Sequence, residues 1–99
     1  MLDLDLKEQL KSAFSTLENK IQLIYAKSSH ADQSQLVEML NDIASTNDKI
    51  TVLQGDVAND RAPYFQIYKN NQVTGITFEG IPGGHEFTSL ILAILNTDG

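Results

Sequence analysis

The sequence has 99 residues, 13 acidic and 7 basic side chains, a formal net charge of -6 and no cysteine or tryptophan. That length makes one domain able to bury a core without disulfide or metal staples, and the missing cysteines exclude a disulfide framework, a zinc-cysteine site, an iron-sulfur cluster, a thiol nucleophile and a CxxC redox pair. The scattered basic residues and the acidic excess make DNA, RNA and anionic membranes poor partners.

Leu6, Leu10, Ala13, Phe14 and Leu17 recur at helical spacing behind Asp3, Asp5 and Glu8, whose negative charge suits a helix N-terminus. An amphipathic helix is predicted over about 4–18. Lys20 to Lys27 is β-rich and apolar on both parities in its middle, as an interior strand should be. Ser28-Ser29-His30-Ala31-Asp32 breaks that strand, and Asp32 with Gln35 resembles a capping box for a second helix carrying Leu36, Met39, Leu40 and Ile43 to about Ser45. Ile50 to Leu53 reads as a short strand, which completes a βαβ unit with parallel strands, and Gly55 to Ala62 as a polar connection.

Tyr64 to Tyr68 and Val73 to Glu79 are two strands joined through Asn70-Asn71, residues that tolerate positive φ, so an antiparallel hairpin is predicted. Gly80-Ile81-Pro82-Gly83-Gly84 is a turn, Phe87, Leu90, Ile91, Ile94 and Leu95 mark a third helix, and Asn96 to Gly99 reads as its stop. The order α-β-α-β-β-α, a four-stranded mixed sheet flanked by three helices, is the thioredoxin-like α/β arrangement. The longest apolar run, Leu90 to Leu95, is six residues, against about 20 for a membrane span, and Asp3 and Asp5 have the wrong sign for a signal peptide. A cytoplasmic location is expected.

Ser29, His30 and Asp32 supply the residue types of a hydrolase triad, but neighbours in one loop rarely form a working relay, and strand breaking and helix capping is the plainer role. In a thioredoxin-like fold this loop occupies the place of a CxxC pair, at a helix N-terminus that lowers a thiol pKa. Pro63, just before a strand, would by base rate be trans; in the thioredoxin context it is expected to be cis and to face that loop. A trans bond there, or a failure of Val73 to Glu79 to pair antiparallel with Tyr64 to Tyr68, would make the thioredoxin assignment wrong. His30 and His85 are too few for a histidine-based zinc site without carboxylate help, and Gly80, Gly83 and Gly84 lack the endings of a phosphate loop. The last helix is apolar around much of its cylinder, so Leu92, Ala93 and Leu95 form either buried surface or an interface with another module or a second copy.

The string Gly83-Gly84-His85-Glu86-Phe87-Thr88-Ser89-Leu90, together with Leu6 to Lys11, Asp48 to Thr51 and Ala62-Pro63-Tyr64-Phe65, resembles the first thioredoxin-like unit in the flavoprotein components of bacterial alkyl hydroperoxide reductases. The resemblance covers essentially the whole chain. It implies a redox-inert unit ahead of a second, CxxC-bearing thioredoxin-like unit and a flavoprotein body that binds FAD and NADH and reduces the peroxiredoxin component of the same system. Ser29 and Asp32 would stand where the cysteines were lost, and Pro63 where the cis-proline lies. Residues 1–99 would then be a single non-catalytic domain, a fragment of a longer oxidoreductase, with no cofactor of its own; an isolated fragment could dimerise through its last helix. The alternatives are a stand-alone module that binds an extended peptide beside the proline, or an anion or metal enzyme built on His30 and His85.

Overall fold

Asp3 starts the first helix: its Oδ1 accepts the Leu6 N–H at 2.7 Å. The computed structural model, which describes residues 2–99, carries this helix, α1, over Leu4–Ala13 and closes it with a 3-10 turn at Phe14–Thr16. The predicted extension to 18 fails because Leu17 is already extended, at φ -60 and ψ 131, to lead the chain into the sheet.

Strand β1, Ile21–Lys27, pairs in parallel with β2, Ile50–Ala58, and antiparallel with β3, Tyr64–Lys69, which pairs with β4, Gln72–Glu79. The sheet order β2-β1-β3-β4 makes β1 interior, as its two-sided apolar character predicts. β2 runs five residues beyond the predicted Leu53, through what reads as a polar connection. A register shift between Tyr25 and Lys27 lets Ala58 pair with Lys27, so polar residues continue the edge strand. Asn70 and Asn71 make the hairpin turn at φ 50 and 67, as expected.

Helix α2, Gln33–Ala44, connects the parallel strands, and α3, His85–Asp98, closes the fold. The last helix does not stop at Asn96; it continues to Asp98, whose side chain is held from across the fold. Gly80 and Gly84, at φ 79 and 55, turn the chain from β4 into α3 with backbone angles that a Cβ would strain.

The three helices share one core on one face of the sheet. Leu10 of α1, Leu36, Leu40 and Ile43 of α2, and Leu90 and Ile94 of α3 pack with Ile21, Leu23, Phe65 and Ile67. Most of these are wholly buried, each worth about 1.5–3 kcal/mol of transfer free energy. Phe65 stacks on Phe78 with ring centroids 5.2 Å apart, fixing the hairpin against the same core. The fold is therefore the thioredoxin-like arrangement expected from the sequence. The Ala62–Pro63 bond, however, is trans, against the expectation of cis, so the proline isomer is not a criterion for this fold, which the sheet order and the antiparallel hairpin carry. Trans is the ordinary state by about 0.5–1 kcal/mol, and Asn59 closes the preceding loop by accepting the Arg61 and Ala62 N–H groups, so the turn is made before the proline is reached.

Candidate functional site

The β1–α2 loop carries the residues singled out in the sequence, Ser29, His30 and Asp32. Ser29 and Asp32 are exposed there, with half-buried His30 between them. The His30 carbonyl accepts the Gln33 N–H at 3.1 Å, so winding begins in the loop and runs directly into α2. Asp32 does not cap the helix with its side chain, contrary to the capping-box reading, because its φ of -90 and ψ of 1 are turn-like rather than extended. The His30 ring does part of that work: Nδ1 accepts the Asp32 N–H at 3.0 Å.

That bond decides against a relay. An imidazole accepting at Nδ1 carries its proton on Nε2, and the Asp32 carboxylate, 3.9 Å from Nδ1, can pair with it only if the ring is charged and the backbone bond is given up. Ser29 is tied through its backbone, not its hydroxyl, donating N–H to Asp60 Oδ1 at 2.9 Å. The loop is thus a hydrogen-bonded strand-to-helix connection with no activated nucleophile.

Asp60 is a partner that sequence reasoning did not find. It stands in the 59–62 loop, which Asn59 also fastens to β1 by donating its N–H to the Lys27 carbonyl at 2.8 Å. These two bonds bring the segment ahead of Pro63 to the β1–α2 loop. Pro63 itself is buried, and its carbonyl accepts the Gly80 N–H. The available signal was the Asn59-Asp60 pair, residue types that form side-chain turns before a proline.

His85 is exposed at the start of α3, next to exposed Glu86. Among the described residues, no group of three or more His, Asp or Glu side chains is placed to hold a metal ion. Of the apolar trio on α3, Leu92 is 52% exposed, whereas Ala93 and Leu95 pack against the core, so burial accounts for most of the helix's apolar breadth. Leu92 borders a groove between α1 and α3 floored by Leu6, Leu10 and Ile91.

Two carboxylates are held below their usual range, and both secure helices. Asp42 of α2 accepts the Leu2 N–H at 3.0 Å, the main cause of its lowering, and Lys7 lies 3.5 Å away. At Asp98 partial burial pushes the pKa up, but the N–H groups of Asn19 and Glu18 outweigh it. Those donors lie 2.7 and 2.9 Å from Oδ1, and the Asn19 side-chain amide adds a third at 3.1 Å.

The whole chain, from α1 through the β1–α2 loop to α3, aligns with known proteins. The F component of alkyl hydroperoxide reductase, AhpF, from Staphylococcus epidermidis is 39% identical over 99 residues, and that from Staphylococcus aureus 35%. The chain matches the N-terminal region of AhpF. It is wholly covered in these alignments but spans only 19% of the length of those proteins. The NTD_N/C domain of Enterococcus faecalis AhpF superposes with a TM-score of 0.87 at 26% identity, covering 100% of this chain and 54% of that one. A mutant of the same AhpF gives 0.84 at 27% identity, covering 99% and 53%. No protein-family model matches the chain.

Proposed function

We propose that this chain is the redox-inert first unit of an NADH-dependent peroxiredoxin reductase. Its work is architectural: it supports a neighbouring thioredoxin-like unit that carries the CxxC pair and passes electrons to the peroxiredoxin. The observation that supports the reading is the β1–α2 loop, a hydrogen-bonded strand-to-helix connection without a thiol, whose Ser29 and Asp32 the resemblance aligns with the lost cysteines. Disulfide exchange requires a thiolate, and neither a hydroxyl nor a carboxylate substitutes for one.

FAD and NADH, which the resemblance places in the parent protein, find no fitting residues here. A pyrophosphate at the β1–α2 turn would need glycines for close backbone approach, and this turn is Ser28-Ser29-His30-Ala31-Asp32, with an acid at its helical end. The reading accordingly assigns the cofactors and the electron path to other parts of the parent polypeptide.

The test is disulfide reduction by the purified chain, supplied with a thioredoxin reductase system and offered insulin or an oxidised peroxiredoxin. The reading expects no rate above that of the reductase alone. Catalysed reduction would refute it.

A further inference from the structure

Of the two histidines, His30 is the half-buried one, and its backbone is fixed from both sides. Its N–H donates to Ser28 Oγ at 3.1 Å, and its carbonyl accepts the Gln33 N–H at 3.1 Å. The ring is thereby held beside the start of α2. There Nδ1 accepts the Asp32 N–H at 3.0 Å, while the Asp32 carboxylate stands 3.9 Å from the same nitrogen.

One ring atom thus faces a donor and an acceptor of a single residue, and it serves only one at a time. A neutral imidazole has a lone pair on Nδ1 and takes the backbone N–H; an imidazolium carries hydrogen on both nitrogens and only donates. Protonation therefore abolishes the bond from the Asp32 N–H, sets two N–H groups against each other, and gives the carboxylate a charge-assisted partner instead. Asp32 matters to the helix because its carbonyl accepts the Leu36 N–H at 3.1 Å, at the head of the α2 ladder, and its side chain makes no cap bond of its own.

The other charged groups of the elements that meet here are Lys27 at the end of β1 and Asp60 and Arg61 of the 59–62 loop. Asp60 is engaged by the Ser29 N–H at 2.9 Å, which leaves Asp32 as the carboxylate placed to receive the charged ring.

We propose that His30 is a proton-operated latch: neutral, its ring fastens the Asp32 peptide at the head of α2; charged, it releases that peptide and pairs with the Asp32 carboxylate. Acidification then loosens the start of α2 and offsets one negative charge on the loop, while the core beneath, which draws no side chain from this loop, stays packed.

An NMR titration of the isotope-labelled chain from about pH 8 to about pH 5, the range in which histidines change charge, tests this. At the alkaline end the His30 ring should be the Nε2–H tautomer, with a scalar coupling across the hydrogen bond between the Asp32 amide nitrogen and Nδ1. That coupling should vanish, and the Asp32 amide signal should move, with the same midpoint as the His30 ring signals. Exchange of the Asp32 amide proton, corrected for its intrinsic pH dependence, should accelerate about tenfold across the transition, as loss of one hydrogen bond requires. His30→Gln, whose amide oxygen can accept the same N–H without titrating, should keep that proton protected at both ends of the range. An Nδ1–H tautomer at the alkaline end, an Asp32 amide that ignores the titration of the ring, or a His30→Gln variant with the pH response of wild type would each overturn the proposal. None of these readouts involves disulfide reduction, so failure here is distinguishable from failure of the redox-inert reading.

Discussion

Asp98 is the last residue of α3, and its carboxylate closes the fold by accepting three hydrogen bonds from the Glu18–Asn19 segment, 79 or 80 residues earlier in the chain. Asp98→Asn weakens a charge-assisted cluster at a partly exposed site, where solvent screening keeps the loss near ~1 kcal/mol. Thermal unfolding should show a Tm lower by about 4–8 °C. The sign of the pH effect follows from the lowered pKa: the stabilisation is present above the unfolded carboxylate value of about 4 and is lost as pH falls through the lower folded value. The variant's stability should therefore fall less steeply than wild type below about pH 4. Gly55 gives a second residue-scale prediction. Gly55→Ala drives a methyl against Ile24 Cγ2 and should cost about 1–3 kcal/mol by denaturant titration. Adding Ile24→Ala removes the clash, so the double variant should lose less than the sum of the two single changes.

The elements were legible where their residues carry a local signal. The apolar spacing of Leu36, Met39, Leu40 and Ile43 defines α2, and Asn70-Asn71 between two β-rich runs defines the hairpin turn. What the sequence did not reveal depends on contacts between distant segments. Beyond Leu53 the edge strand continues because β1 offers a ladder to polar residues whose own pattern reads as loop, and α3 outlasts its stop signal because Asn19 holds Asp98. At the candidate site, the absence of thiols and the break between β1 and α2 were readable. The link from Ser29 to Asp60 was not, being a tertiary bond between residues 31 apart, and a trans Pro63 departs from the expectation carried over from related folds. At this scale α3 should be the most sensitive element: Leu90 is wholly buried, so Leu90→Ala should cost about 2–5 kcal/mol in chemical denaturation. Leu92→Ala, at a half-exposed position, should change stability by less than about 1 kcal/mol.

At the scale of the molecule, the chain is a thioredoxin-like scaffold whose core lies on one side of its sheet and whose β1–α2 loop is tied by hydrogen bonds from its backbone N–H groups to the side chains of Asp60 and His30. The buried core of Leu23, Phe65, Leu90 and their neighbours draws no side chain from the loop at Ser29 and Asp32. On the proposed reading, such a scaffold keeps its shape without redox chemistry, because packing and catalysis rest on different residues. This chain spans only 19% of the matched AhpF proteins, and the proposal assigns the electron-carrying groups to the remaining length. Insulin reduction, followed by turbidity with a thioredoxin reductase system present, tests this most directly when wild type is compared with the Ser29→Cys, Asp32→Cys double variant. The wild-type rate should equal background, and the double variant should form an intramolecular disulfide and gain a measurable rate. Turnover by the wild-type chain above background would contradict the redox-inert reading.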